Sequence, residues 1–419
     1  MIDVIGTDAG APASLPAAQQ ALIKAADHLA APKRLHPALL NWLGSDQPDL
    51  ISSDDPRDLA ASLKALPTTT AVVVLASGDP LWFGIGRSLS SRLGGAQLRF
   101  HPAPTALQLA FSRIGRPWQD ASWVSLHGRD PAVLAPLLQK RPPALAVLTD
   151  PQQGGAETVR RILRSSGLEA GYSFWVCENL GHASERVLQL KSSDPLPENP
   201  ASLLTVLLIA EPSAAPPLEC LPLFGLEDGL YLQHADHPGL MTKREVRIQL
   251  LADLDLPKEG VLWDLGAGTG SVGLEALRLR PDLKLLAVEQ RAGGAQLIQA
   301  NAQRLGVTAE AVLEREVGAL IREGLPKGLE RPDRVVLGGG GRSRAALLMQ
   351  VLTVLKPGGV VLIPLATLEA LAELRPLLEQ QGLAVQISQL QAWRGQPLSD
   401  GTRLAPMNPI LIIKGTKSH

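Results

Sequence analysis

Residues 261–270, VLWDLGAGTG, constrain the second half of this chain more than any other stretch. An apolar run ends in Asp264, and a loop follows with Gly266, Gly268, Thr269 and Gly270. Glycine tolerates positive φ and lets a ligand approach the backbone. The helix expected next, SVGLEALRLR, would leave its first N–H groups free. The strand after it, LKLLAVE, ends in Glu289, about 20 residues past the loop, where an acid can accept hydrogen bonds from ribose hydroxyls. A buried strand, a glycine turn and a helix in this order predict a parallel α/β sheet with a nucleotide at its strand ends.

Which nucleotide is an electrostatic question. A dinucleotide site usually reads G-x-G-x-x-G and rests pyrophosphate on the helix N-terminus. Here the loop reads G-A-G-T-G and an acid precedes it. Asp264 would repel pyrophosphate but suits the cationic methionine part of S-adenosylmethionine, or its ammonium. A structural glycine turn with no ligand is the plain alternative.

The alternation of strand and helix continues on both sides. In the second half, KREVRIQLLADLDL, AGGAQLIQANAQRLG, SRAALLMQVLTVLK and TLEALAELRPLLEQQG read as helices, and PDRVVLGGG and VVLIPLA as strands. LAVQISQLQAW and APMNPILIIKG read as two final strands that can pair as an antiparallel hairpin at the sheet edge. Before the loop, Thr242 reads as a helix cap with Glu245 closing a capping box, and Lys243, Arg244 and Arg247 add positive charge. A capped, solvated helix start is the bland reading of that segment. Gly338, Gly339 and Gly340 follow a strand end, where backbone N–H groups can meet carboxylates; a flexible turn is the alternative.

In the first half, MIDVIG, AVVVLAS, AQLRFH, WVSLHGR, ALAVLTD, YSFWVCENLG and SLLTVLLIA read as strands. SLPAAQQALIKAADHLA, LWFGIGRSLSSRLG, TALQLAFSRIG and GGAETVRRILRSSG read as helices. Asp79 is placed to cap the second of these and Pro80 to start it. The Pro- and Ala-rich stretch 212–222 reads as a linker between domains 1–211 and 223–419, and 419 residues suit two cores.

Charge and cysteine narrow the class. Forty basic residues face forty-one acidic ones, for a net charge of −1, so no nucleic-acid partner is expected. Two cysteines make no disulfide framework, which fits a reducing cytoplasm. The start shows no signal-peptide pattern, and no apolar run approaches the ~20 residues that cross a membrane. His101, His127, His234 and His237 lack metal-site spacing, so no metal is expected.

DLGAGTG and its flanks resemble the class I, Rossmann-like methyltransferases, and the terminal hairpin resembles that class too. GLMTKREVR, PDRVVLGGGG and MNPILIIKG narrow the resemblance to decarboxylating precorrin methyltransferases, which act on carbon 15 of the macrocycle and remove the carboxyl group of an acetate side chain. VIGTDAG, GDPLWFGIGR, HPAPTALQLAFSRIG and VSLHGR resemble the tetrapyrrole methylases, class III methyltransferases of two α/β subdomains, and most closely their precorrin-6Y carbon-5 members. Together the halves resemble fused precorrin-6Y C5,15-methyltransferases (decarboxylating) of cobalamin biosynthesis.

The resemblance implies S-adenosylmethionine at two places. One is near Gly78, Asp79, Pro80, Phe83, Pro104, Thr105 and His127; the other is near Thr242, Asp264, Gly266, Gly268, Thr269, Gly270 and Glu289. It implies a carboxylate-rich tetrapyrrole near Lys243, Arg244, Arg247, Gly338, Gly339 and Gly340, with Arg342 and Arg394 as further cations placed by loop position. No catalytic residue is assigned, because the donor arrives activated. The family also suggests a homo-oligomer. One departure stands out: Asp8 occupies a loop position where the family usually has a second glycine after Gly6, so either the loop shifts or the substrate meets a carboxylate. Two rivals remain: a class I methyltransferase of RNA or protein with a non-catalytic first domain, and a non-enzymatic sensor of donor or tetrapyrrole.

Overall fold

The computed structural model describes residues 1–418 except 45–47, 95–96, 192–193, 199–203, 211–214, 216, 235, 238, 339–340 and 398–400. Gly339, Gly340 and residues 212–214 and 216 of the expected linker 212–222 therefore lie outside the described residues. The chain divides into two compact units. The first holds Met1–Arg129, Ala144–Ala156 and Phe174–Leu207; the second holds Asp130–Pro143, Glu157–Ser173 and Leu208–His419.

The first unit is built on a parallel sheet. Its strands run Asp49–Ser52, His28–Ala31, Val72–Ser77, Ile2–Thr7 and Leu98–His101 across the sheet. Successive side chains of a strand point to opposite faces. Val72 and Val74 accordingly join Val4, Leu59 and Leu89 in one core layer, while Val73 and Leu75 join Ile5, Ile23 and Leu39 in the other. Continuous apolar runs are what a sheet covered on both faces requires. A further sheet has the order Ala121–Ser125, Ala144–Leu148, Leu204–Ile209, Ser173–Glu178, Arg186–Leu190, with the first pair parallel and the last antiparallel.

The second unit carries a seven-stranded sheet. Its order is Ala311–Glu314, Leu283–Glu289, Gly260–Leu265, Arg334–Leu337, Val360–Leu365, Ile410–Lys417, Leu383–Leu390. The first five strands are parallel. Ile410–Lys417 alone runs against the others, antiparallel to both of its neighbours, Val360–Leu365 and the edge strand Leu383–Leu390. This is the α/β architecture and the terminal hairpin expected from the sequence.

Several local expectations need correction. The first expected helix spans only Ala17–Lys24, because His28–Ala31 is a sheet strand. The helix expected from Leu81 starts at Gly86 with Ile85 as its cap, so Asp79 caps nothing. Its Oδ1 instead accepts from Leu81 N at 2.7 Å, closing a turn ahead of the helix. Thr242 does not cap either. The helix Arg244–Asp253 has Lys243 at its N-cap without a side-chain cap bond. Asp228 Oδ1 takes the Arg244 N–H at 3.0 Å, and Glu245 turns to Arg394 rather than closing a box.

Candidate functional site

The glycine loop of the second unit is tied down from two sides. Gly266 N and Ala267 N donate to Val288 O at 2.9 and 3.0 Å, pinning the loop to the neighbouring strand. Gly268 N donates to Glu289 Oε2 at 2.8 Å. Beneath the loop, Asp264 Oδ2 accepts from Gly273 N at 2.9 Å, in the first turn of the helix Ser271–Leu279. Gly266, Gly268 and Gly270 have φ of 72°, 59° and 76°, which β-carbons disfavour.

Asp264 is therefore buried under the loop and anchors the helix N-terminus, where partial positive charge favours it. It does not line the cavity above. Burial raises its carboxyl to about 6, and the Glu289 charge adds to the rise. A pKa raised on folding means that the native state holds an extra proton between pH 3.8 and about 6, so this group's contribution to stability falls as pH rises through that window. Asp264→Asn keeps an oxygen for Gly273 N and removes the buried charge. Its ligand-free melting temperature should exceed that of the parent at pH 8 and match it near pH 4, read by calorimetry.

Above the loop lies a cavity of about 850 Å³. Thr242, Lys243, Gly266, Gly268, Glu289, Gly338 and Arg394 line it, all named from the sequence. Sequence reading did not single out Arg141 and Asp228, which come from distant segments, nor Leu240, Met241 and Asn408, which lie within the motifs GLMTKREVR and MNPILIIKG, nor Arg291, two residues past Glu289. Glu289 Oε1 accepts from Arg291 N and Nη1, both at 3.0 Å, which fixes the carboxylate at the strand end. Near it, the Thr269 hydroxyl and His234 Nε2 are buried and find no partner among the described residues. His234 Nε2 and Glu289 both border Gly294, where a β-carbon would crowd Glu289 Cγ at 2.6 Å. Unsatisfied polar atoms beside a narrow glycine cradle fit a nucleoside.

Two expected substrate cations are corrected. Arg247 is fully buried. It bonds Glu275 Oε1 at 2.5 Å and Thr242 O at 2.6 Å, and also reaches Leu226 O and Asp228. Its fork is saturated inside the protein, so it meets no ligand. Arg244 bonds Gly225 O at 2.6 Å and does not line the cavity. Arg394 does line it, but clasps Glu245 at 2.8 and 2.7 Å and Asp228 at 3.2 Å. Lys243 remains a cation facing the cavity.

The first unit has its own cavity of about 800 Å³, bordered by Gly78, Asp79, Phe83, Pro104, Thr105 and His127. Pro80 is buried behind them. Thr105 closes a capping box on the helix Ala106–Arg113 with Gln108, a signal the sequence displayed but which went unread. Phe83 holds φ at 50°, unusual for a bulky residue, and Trp82 meets its ring edge-on at 4.9 Å. Arg129 lies over the same ring at 5.7 Å. Asp8 borders the cavity, but its Oδ1 accepts from Gly10 N at 2.9 Å and from the Ser14 hydroxyl. The carboxylate is thus held by its own loop. Gly6 is the tight point: a β-carbon there would stand 2.5 Å from Gly78 O and 2.8 Å from Ala103 N. Gly6→Ala should therefore distort this cavity and lower the turnover of whatever reaction it houses by about 100-fold, read as product formed per unit time.

Among the described residues, no group of three or more His, Cys, Asp or Glu is placed to hold a metal. His101 instead bonds Asp3 at 2.6 Å beside Arg99. No helix among them is long and apolar enough to cross a membrane.

Comparison with known proteins matches each half of the chain to a methyltransferase family. Residues 1–195 match the family of tetrapyrrole (corrin/porphyrin) methylases, and residues 233–417 match the precorrin methyltransferase domain. A precorrin-6Y C(5,15)-methyltransferase [decarboxylating] of Sinorhizobium sp is 35% identical over 351 residues, covering 83% of this chain and 80% of that protein. Its namesake in Mycobacterium tuberculosis is 27% identical over 354 residues, 82% of each chain. A cobalt-precorrin-6B C(15)-methyltransferase (decarboxylating) of Salmonella typhi is 31% identical over 195 residues, 46% of this chain and 97% of that protein. With both halves matched in one chain, this protein belongs to the family of precorrin-6Y C(5,15)-methyltransferases (decarboxylating).

Proposed function

We propose that the chain methylates precorrin-6Y, or its cobalt form, at carbons 5 and 15 and removes the carboxyl group of an acetate side chain, with S-adenosylmethionine as donor at both sites. The observation that carries this reading is the pair of cavities, each opening at a strand–glycine turn of a different methyltransferase type. In the first unit, Gly78, Asp79, Pro104 and Thr105 are placed to hold the donor, and Phe83 with Trp82 offers an apolar wall to a flat ring. In the second, Glu289 would take the ribose hydroxyls, while Thr242, Gly266 and Gly268 shape the cradle. Thr269 is buried and Gly270 packs towards Ile298 and Leu274, so these two support the loop from behind. Asp264 would act through the helix it anchors.

When bound, the donor supplies a methyl group already activated by its sulfonium. The protein's part is therefore to position, to exclude water and to hold the acidic macrocycle. Lys243 brings positive charge to the side of the acidic macrocycle, whereas the Gly338 N–H expected to meet a carboxylate is committed to Leu265 O at 2.8 Å. The same reading has the enzyme working in the cytoplasm as a homo-oligomer on a small tetrapyrrole, with no nucleic-acid partner. Light scattering on the purified chain tests the oligomer. Incubation with precorrin-6Y and donor tests the activity. Mass spectrometry should show a gain of two methyl groups and loss of one carbon dioxide, whereas turnover on RNA or protein alone would overturn the reading.

A further inference from the structure

Loss of carbon dioxide from an acetate side chain leaves a carbon that must become a methyl group. That conversion consumes one proton. The C–C bond to the carboxyl breaks, carbon dioxide departs, and the electron pair passes into the conjugated ring. The exocyclic carbon then takes a proton. Neither cofactor chemistry nor the leaving group supplies it, so the cavity needs an acid. Water is one source, but a closed methyltransferase site works by excluding water.

We propose that Lys243 is the proton donor of the decarboxylation, delivering a hydrogen from Nζ to the nascent methyl carbon; this rests on the function proposed above. Lys243 borders the 850 Å³ cavity from the N-cap of the helix Arg244–Asp253. Its Nζ donates to Gly239 O at 3.2 Å, a neutral acceptor that orients the ammonium without removing its charge. The neighbouring cations cannot fill this role. Arg141, Arg247 and Arg394 carry guanidinium groups that do not release protons in a protein. Arg247 and Arg394 are also committed to carboxylates.

The surroundings favour release. Burial pushes the Lys243 ammonium below the ordinary lysine range. Asp228 opposes that shift, while the charges of Arg141, Arg394 and Arg247 reinforce it. Glu289, Arg291 and Glu316 face the same cavity from other segments. After the transfer the neutral amine sits comfortably in this setting and regains its proton from bulk water before the next turnover.

Two substitutions separate a proton donor from a charge that merely holds a carboxylate. Lys243→Met removes both properties, and Lys243→Arg keeps the charge but not the transferable proton. Full-length variants would be loaded with donor and precorrin-6Y, and carbon dioxide release followed in a single turnover. Donor binding by calorimetry checks that the second unit is folded. We expect both variants to lose about 100-fold in decarboxylation, with carbon-5 methylation unchanged. In the parent, the decarboxylation rate should fall as pH rises through a midpoint below the ordinary lysine value of about 10.4, and Lys243→Arg should lack that limb. Rescue by arginine to within a few-fold would assign Lys243 to carboxylate binding instead and overturn the proposal. An unchanged rate in Lys243→Met, or a parent profile with no alkaline limb, would do the same. If the parent releases no carbon dioxide at all, the proposed function itself has failed, and this assignment with it.

Discussion

Gly266→Ala is expected to abolish carbon-15 methylation and decarboxylation together while carbon-5 methylation continues. Gly266 has φ of 72°, and a β-carbon there would fall inside the van der Waals radius of the Gly338 carbonyl oxygen. The atoms in its way are all backbone atoms of Gly338, so no side chain can yield. The loop would have to leave the positions from which Gly266 N and Ala267 N reach Val288 O. That shift also misaligns Gly268 N against Glu289. A misplacement of about 1 Å in a positioning site costs roughly 100-fold in rate, and here the whole cradle moves. Product mass should show one added methyl group and no loss of carbon dioxide. Calorimetry with S-adenosylmethionine should count one site in place of two. Loss of both methylations would mean that the two cavities do not work independently.

The second large effect is on stability. Arg247, Glu275, Asp228 and Tyr231 form a buried polar cluster around the start of the helix Arg244–Asp253. Burial alone would lower the Arg247 pKa, but Tyr231, Glu275 and Asp228 reverse this and hold the guanidinium charged. Arg247→Met would leave two buried carboxylates facing each other's vacated partner. Breaking a buried pair from one side costs roughly 3–5 kcal/mol. Hydrogen exchange of the strand Gly260–Leu265 should report the loss, since a chain of two units need not unfold in one step. Arg244→Met is the control. It should cost clearly less than Arg247→Met, because Arg244 is part-exposed, its ion pair with Glu227 is loose at 3.8 Å, and its loss removes one hydrogen bond to Gly225 O without stranding a buried carboxylate. Equal effects from both variants would contradict the arrangement.

The sequence exposed some elements and hid others for physical reasons. VLWDLGAGTG and LKLLAVE were legible because buried parallel strands are continuous apolar runs that end at chemically distinctive residues. Residues 26–66 were not. They hold two four-residue strands, His28–Ala31 and Asp49–Ser52, too short to show a period. Yet Asp55 and Pro56 there announced the helix Pro56–Ala65 by a cap and a first-turn proline, and that signal was overlooked. The hairpin Trp393–Pro397 with Thr402–Pro406 likewise escaped notice. The site divides the same way. Gly266, Gly268, Glu289 and Lys243 line the cavity as their motifs implied. Arg247 does not, because its direction is set by Glu275, 28 residues away, and helix spacing alone cannot reveal such a partner.

The strand Ile410–Lys417 fills a gap between two strands that precede it in the chain. A ribosome that has made everything through Leu390 has therefore released two unmatched β edges facing a missing neighbour. Such edges invite pairing with other chains. Removing Ile410–Lys417 would therefore unpair Val360–Leu365 and Leu383–Leu390 at once, and the second unit should lose its edge as a whole rather than fray by one strand.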